Sequence, residues 1–317
     1  MNAGNHGVYL TALLAPFNRW LERENVTEIM VNRPGEVWIE SAGSDGLHRE
    51  EAVEIDDRLI EQLAYQIARQ THQGINRERP LLAATLPDGA RIQIISPPAT
   101  PQHWCLAVRR HRVREVPIFD FAAGPIERPQ RPHFDREAAL RDPIGFIAEA
   151  VATRATILVS GGTSSGKTTF LNSLLGLIPE TERILVVEDT PEIRLRHPNC
   201  LKLVAVKGEM GEARLTTNDL LQASLRMRPD RLVLGELRGD EAVSFLRAIN
   251  TGHPGSFSTI HANSPAAALE QLTLMVMQAG LGLSHDETIT YAHSVIDVVI
   301  QLDRTGGRRR IVDMLIC

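Results

Sequence analysis

The chain has 317 residues, 43% of them apolar and 23% charged, with a formal net charge of -5 and a pI near 6.1. That length and balance exclude a disordered chain and suffice for two domains with their own cores, and the lack of a global basic field argues against nucleic acid as a partner by net charge. Cys105, Cys200 and Cys317 form neither a disulfide framework nor a metal cage, and no run of about 18 apolar residues or positively charged leader points to a membrane span or export, so a cytosolic protein is expected.

Residues 8–24 place Leu10, Leu13, Leu14, Phe17, Trp20 and Leu21 at helical spacing and predict an amphipathic helix. Residues 27–32 and 36–40 alternate apolar and polar side chains around Pro34-Gly35, the pattern of a hairpin. Asp56 and Asp57 precede a helical stripe of Ile60, Leu63, Ala64, Ile67 and Ala68, and residues 91–95 and 104–109 read as two more strands. Residues 1–110 are therefore expected to form a small α+β domain. From 111 to 141 the periodicity dissolves among Pro117, Pro125, Pro129, Pro132 and scattered arginines, which reads as a solvated linker rather than a nucleic-acid arm.

Residues 142–317 are expected to form a larger α/β domain. A helix over 143–153 leads to an apolar strand at 157–159, then to GxxxxGK[ST] in Gly161-Gly162-Thr163-Ser164-Ser165-Gly166-Lys167-Thr168, followed by Thr169 and a helical pattern. This is the pattern of a phosphate-binding loop. Backbone N–H groups from Gly162 to Thr169 turn inward around a polyphosphate, Lys167 reaches its β and γ oxygens, and Thr168 offers a hydroxyl to Mg²⁺ at the positive end of the helix. Of the 34 basic residues only Lys167, Lys202 and Lys207 are lysines, so a lysine at that one position carries weight.

Residues 183–189 and 230–236 are near-continuous apolar strands that end in acids, and helical segments separate them, so a parallel sheet covered on both faces is expected. In such sheets ligands sit at the carboxyl ends of the strands, where the loop, Glu188 and Glu236 would converge. A carboxylate there can orient an attacking water or hold a metal-bound one, although either acid taken singly also suits an ordinary exposed strand end. In residues 252–263, His253 and His261 read by themselves as a turn-and-core pair; beside the phosphate loop they become site candidates. Helices at 264–279 and 284–293, a strand at 294–301, a Thr305-Gly306-Gly307 turn and a strand at 310–316 complete the chain with a terminal hairpin.

Taken in this order, the phosphate loop, Val187-Glu188-Asp189-Thr190-Pro191-Glu192, Leu234-Gly235-Glu236 and the stretch from His253 to His261 resemble the motifs of the secretion-superfamily traffic ATPases: a Walker A loop, an acidic "Asp box", a Walker B strand ending in Gly-Glu, and a "His box". Residues 26–38 and 86–93 are similar to the type IV secretion branch, the VirB-type ATPases. The resemblance implies a RecA-like ATPase domain with a smaller amino-terminal domain, and ATP and Mg²⁺ as ligands, with Thr168 and Glu188 on the metal side. It further implies a homo-hexamer on the cytoplasmic face of a bacterial inner membrane, other secretion proteins as partners, a protein or DNA cargo, and nucleotide held between the two domains of one subunit. His261 would sense the γ-phosphate. Rival readings are a motor of type II secretion or of a retractable pilus, a nucleic-acid motor, and a nucleotide-gated scaffold without turnover. Pilus-assembly motors carry a four-cysteine zinc motif after the His region, where this chain has only Cys317.

A single loop lysine leaves γ-phosphate charge to be neutralised by an arginine from elsewhere. Arg91 and Arg109 resemble the amino-domain arginines that reach the nucleotide in the type IV branch; the plain alternative is a pair of strand-edge charges. Arg226 and Arg228, just before the Walker B strand, are the other source.

Overall fold

The structure, a computed structural model, describes residues 3–44, 46–110, 118–121, 134–194, 196–208 and 213–317. The first helical stripe is split: α1 (Ala3–Leu14) gives way to a 3₁₀ turn (Ala15–Phe17) and a single further turn, α2 (Asn18–Leu21). Pro16, at the start of the 3₁₀ turn, has no N–H to continue the α1 ladder, which is why the expected helix over 8–24 does not run through. Phe17 and Trp20 are nevertheless buried, so the stripe is core.

Six strands follow: β1 (Val26–Val31), β2 (Gly35–Ser41) and β3 (Leu47–Ala52), then, after α3 (Asp57–Gln70), β4 (Leu81–Thr85), β5 (Arg91–Ile95) and β6 (Cys105–Arg109). They form one antiparallel sheet in the order β3-β2-β1-β6-β5-β4. The expected hairpin is β1–β2, with Met30 opposite Trp38. Asp56 caps α3, its carboxylate accepting from the Leu59 N–H at 2.7 Å. The edge strand β3, Leu-His-Arg-Glu-Glu-Ala, keeps its charged residues outside and leaves almost no apolar alternation to read.

The prolines of the expected linker lie outside the described residues. Its last part is a helix, α4 (Arg136–Arg141), capped by Asp135, and α5 (Pro143–Ala152) follows. The chain then alternates: β7 (Ile157–Gly161), α6 (Lys167–Leu175), β8 (Ile184–Glu188), β9 (Cys200–Val204), the short pair β10 (Val206–Lys207) and β11 (Arg214–Leu215), α7 (Thr217–Ser224), β12 (Arg231–Leu234), α8 (Glu241–Asn250) and β13 (Phe257–Ile260). Helices α9 (Pro265–Gln278) and α10 (His285–Val295) precede the terminal hairpin β14 (Val298–Thr305) and β15 (Arg308–Ile316). The sheet order is β15-β14-β7-β13-β12-β8-β9, parallel throughout except for β15. The fold is thus an α/β, RecA-like arrangement beside a smaller α+β lobe, and β7, β8 and β12 are fully buried as their apolar runs require. The expected strand at 294–301 starts later, because the Ile296 N–H still bonds to the Ala292 carbonyl and continues α10. Among the described residues no helix is long and apolar enough to cross a membrane.

The two sheets meet at the amino-terminal ends of β8 and β12. Arg183, fully buried, donates from Nε to the Met227 carbonyl and from Nη1 to the side-chain oxygens of Asn32 and Asn199, each at 2.7 Å. Burial pulls its guanidinium down to about 10, so it stays charged. Arg228 grips Glu40 with Nε and Nη2 and also meets Asp230. Around these polar ties a continuous apolar cluster joins Met30, Trp38 and Ile95 to Leu201, Leu203 and Leu220.

One buried acid sits on this seam at a cost. Burial raises the Glu28 carboxyl to about 7, against the pull of Arg109 at 3.4 Å and with Glu40 adding to the rise; Arg228 and Arg183 pull it down. With the folded value above the ordinary 4.5, the folded chain binds more protons than the unfolded one between these limits. Stability from this group is therefore complete at low pH and lost as pH rises through about 7. Glu28→Gln, a permanent mimic of the protonated acid, should gain on the parent between pH 5 and pH 8, by about 2–4 °C in Tm for each kcal/mol recovered. Parallel melting curves across that range would disprove the assignment.

Candidate active site

Strand β7 runs into the loop 162–166, and α6 starts at Lys167 without any side-chain cap on its first N–H groups. Ser164 at φ 64° and Gly166 at φ 98° take the left-handed backbone that turns those N–H groups toward a common centre, the geometry of an anion cradle. Gly161 is needed for a different reason: a Cβ there would lie 2.4 Å from Ser165 Oγ and 2.8 Å from the Leu302 carbonyl.

A cavity of about 480 Å³ opens over this loop. Lys167 is buried at its floor, with Nζ donating to the Gly161 carbonyl at 3.1 Å and lying 3.2 Å from His261 Nε2 and 3.7 Å from Glu236 Oε1. Burial holds its ammonium below the usual lysine value, and Glu236 pulls the other way. His261 Nε2 is 2.9 Å from Glu236 Oε1, and the second oxygen of Glu236 accepts from Arg238, which also reaches Asp189. The turn that carries Glu236 is pinned by Glu241 at the start of α8, whose Oε1 accepts from the N–H groups of Arg238 and Gly239, and by Thr259 Oγ1 donating to the Gly235 carbonyl at 2.8 Å.

Glu188 stands apart from Lys167. Its Oε1 accepts from the N–H groups of Glu192 and Ile193 at 2.9 and 2.7 Å, which folds the acidic segment back under the cavity, while Oε2 is buried without a hydrogen-bond partner. Burial raises this carboxyl, opposed by those two backbone N–H groups. Thr168 Oγ1 donates to Glu192 at 3.0 Å. The donor set suits Mg²⁺ arriving on a polyphosphate: hard oxygens from Thr168 and Glu188, both residues of the cavity wall, with one Glu188 oxygen free of any protein partner, and room for phosphate oxygens beside them.

The expected site residues from Gly162 to Thr169, with Glu188, Glu236 and His261, therefore share one region. His253 does not: its Nδ1 bonds to the Pro229 carbonyl at 3.0 Å, and burial lowers its pKa, so it is the satisfied turn residue of the histidine pair. Arg91 and Arg109 are a correction. Both line a second, larger cavity of about 850 Å³ with Arg226, Arg228 and His253, and no residue of the amino-terminal sheet lines the cavity over the phosphate loop. The reason is the polarity of the parallel sheet. Arg228 and His253 precede β12 and β13, whereas Glu236 and His261 follow them, and these four-residue strands separate their ends by about 13 Å. Arg91 pairs in register with Arg109, and Arg109 with Glu28, so the seam of the two lobes absorbs them, and Arg228 is committed to Glu40. Among the described residues, the cavity over the phosphate loop is accordingly lined by the larger lobe alone.

Sequence reasoning missed Arg304, Arg309 and Glu241, and named Glu192 only as part of the acidic motif without a partner. Glu241 opens α8, where an acid in the first turn is common and gives no signal by itself, and Glu192 meets Thr168, which is 24 residues away in the chain. The arginines come from β14–β15, whose Thr305-Gly306-Gly307-Arg308 turn was legible although its proximity to the loop was not.

Residues 12–305 match the family model described as "Type II/IV secretion system protein". The chain is 34% identical to the type IV secretion system protein VirB11 of Bartonella henselae, over 95% of this chain and 91% of that protein. It is 39% identical to the type IV secretion system protein PtlH of Bordetella pertussis, over 95% and 93%. The crystal structure of the VirB11 ATPase from the Brucella suis type IV secretion system, in complex with sulphate, superposes with a TM-score of 0.90 at 32% identity, covering 98% of this chain and 95% of that one.

The loop geometry makes a stability prediction independent of activity. Gly161→Ala should cost about 1–3 kcal/mol, the usual penalty of forcing a methyl group into filled space, because one of the atoms it meets is backbone. Gly162→Ala meets nothing within 4 Å and should be nearly neutral. Equal denaturant midpoints for the two variants would refute the packing account.

Proposed function

The chain belongs to the type II/IV secretion system protein family, and on that premise we propose that it is an ATP-hydrolysing motor of a type IV secretion or conjugation apparatus. The observation that carries the reading is the convergence of Lys167, Glu236 and His261 within hydrogen-bonding or ion-pair distance on one wall of the phosphate-loop cavity. The names of the relatives support the type IV branch, and the printed description of the Brucella suis protein as an ATPase supports turnover. We further propose a homo-hexameric ring, peripheral to the inner membrane on its cytoplasmic side, working with other secretion proteins on a protein or DNA cargo. Folding units at residues 1–110 and 142–317, joined through 111–141, belong to the same proposal.

In this reading the inward N–H groups of residues 162–169 bind the phosphates, and Lys167 follows negative charge as it moves onto the bridge between the β and γ groups. Its carbonyl ligands release the ammonium toward the phosphate, which is a stronger acceptor. Glu236, held between Arg238 and His261, orients the attacking water and takes up its proton, and His261, touching both Glu236 and Lys167, reports whether the terminal phosphate is present. Mg²⁺ supplies charge neutralisation across the phosphate oxygens when bound, and Thr168 and Glu188 would hold it, Glu188 through its unpartnered oxygen. That assigns water activation to Glu236 and metal support to Glu188. Arg91 and Arg109 have no part in hydrolysis within their own chain.

ATP turnover and the mass of the assembly, measured on one sample of the full-length protein, test the reading. Lys167→Ala should lower kcat by about a hundredfold or more while the melting temperature changes little. Glu236→Gln should still bind nucleotide and lose turnover to a similar degree; Glu188→Gln should lose less and be partly restored by raised Mg²⁺. Near-parental hydrolysis by Lys167→Ala would overturn the proposal, and full activity of Glu236→Gln beside a dead Glu188→Gln would reverse the two acidic roles.

A further inference from the structure

Strand β7 lies in the interior of its sheet, so the phosphate loop has two unlike flanks. On one side are β13, β12 and β8, whose carboxyl ends carry His261, Glu236 and Glu188. On the other is β14, paired with β7 from Val298 to Leu302, and behind it β15. The tight turn of that hairpin brings Arg304 and Arg309, which are cross-strand partners, to the rim of the cavity. Arg309 Nη1 donates to Thr169 Oγ1 at 3.0 Å. The stem of the same side chain lies on Gly166, where a Cβ would come 2.5 Å from Cδ and 3.0 Å from Nε. Among the described residues neither Arg304 nor Arg309 has a carboxylate within ion-pair distance.

A polyphosphate in the loop is directional. Its terminal phosphate must meet Lys167 and the water-orienting Glu236, which stand on the β13 side, so its α-phosphate and nucleoside point to the β14–β15 side, past Thr168 toward Thr169. Resting on the nucleotide reading above, we propose that Arg309 is a nucleotide-binding residue of the α-phosphate, a role that sequence motifs do not assign. While its stem stays on Gly166 and one Nη keeps the Thr169 hydroxyl, its planar fork turns a second N–H to a phosphate oxygen. Arg304 adds positive charge beside it. Because the α-phosphate is common to ADP and ATP, Arg309 sets affinity for both alike and leaves the hydrolytic step to the other flank.

Calorimetric titration of the full-length protein with ADP and with the non-hydrolysable analogue AMP-PNP tests this. Arg309→Ala should weaken both by the same factor, about tenfold, as expected for the loss of a charge-assisted phosphate contact, and kcat at saturating ATP should stay within about twofold of the parent. Arg309→Lys, which keeps the charge without the fork, should fall between. Arg308→Ala, on the same turn but outside the cavity, should leave both affinities unchanged. Arg309 is exposed, so its replacement should not disturb folding, and a melting curve on the same sample checks it. Unchanged ADP affinity in Arg309→Ala overturns the proposal, as does a loss confined to AMP-PNP, which would move Arg309 to the terminal phosphate. If the parent binds ADP and Lys167→Ala does not, while Arg309→Ala binds normally, only the arginine assignment fails; a parent that binds neither nucleotide removes the nucleotide reading with it.

Discussion

A helix that begins with uncapped N–H groups and a lysine buried beside them is stable only if something negative, or a set of backbone carbonyls, faces it. In this chain α6 starts in that state: Gly166 in the left-handed region supplies no cap, and the Lys167 ammonium is turned onto the carbonyls of Gly161 and Gly162. The rest of the larger lobe follows from that constraint. A parallel sheet gathers the carboxyl ends of its strands on one edge, so the turns after β8, β12 and β13 bring Glu188, Glu236 and His261 to the place where the loop has left partial positive charge. Glu236 then sits among Lys167, His261 and Arg238, an arrangement that orients its carboxylate beside a desolvated ammonium.

The opposite edge of the same sheet is used for architecture. Arg183 and Arg231, at the amino ends of β8 and β12, are both fully buried, one tied to Asn32 and Asn199 and the other held by two bonds to Glu182 at 2.7 and 2.9 Å. Removing a partner from such a buried cation costs more than the bond itself, because the charge is left without solvent or counter-charge. The bonds of Arg183 to Asn32 and of Arg228 to Glu40 therefore seat the amino-terminal sheet on the amino ends of the parallel strands. Placing Arg91 and Arg109 over the loop of their own chain would require breaking them.

Much of this was readable in advance. The strand-loop-helix around Lys167, the two acid-ended strands and the glycine turn of the final hairpin depend on local conformation and on period, which a sequence displays directly. Errors fell where those signals are weak. Pro16 interrupts a stripe whose apolar spacing is otherwise unbroken; β3 is an edge strand of charged residues; α10 runs on into Val295 because an apolar stretch at a helix-to-strand junction does not mark its own boundary.

The sequence by itself determined that this chain carries a phosphate loop on a parallel sheet, which strands end beside it, and the family to which it belongs, because each of those is a relation among residues close in the chain or a pattern repeated along it. Only the tertiary structure decided which oxygen of Glu188 remains unpartnered, that Arg183 is a buried tie rather than one more solvated arginine, and that Arg309, about 140 residues beyond the loop, lies on it while Arg91 and Arg109 do not. Arginine is abundant in this chain and every copy looks alike in sequence; what separates them is the direction of the strand each one terminates and the edge of the sheet to which that direction delivers its side chain.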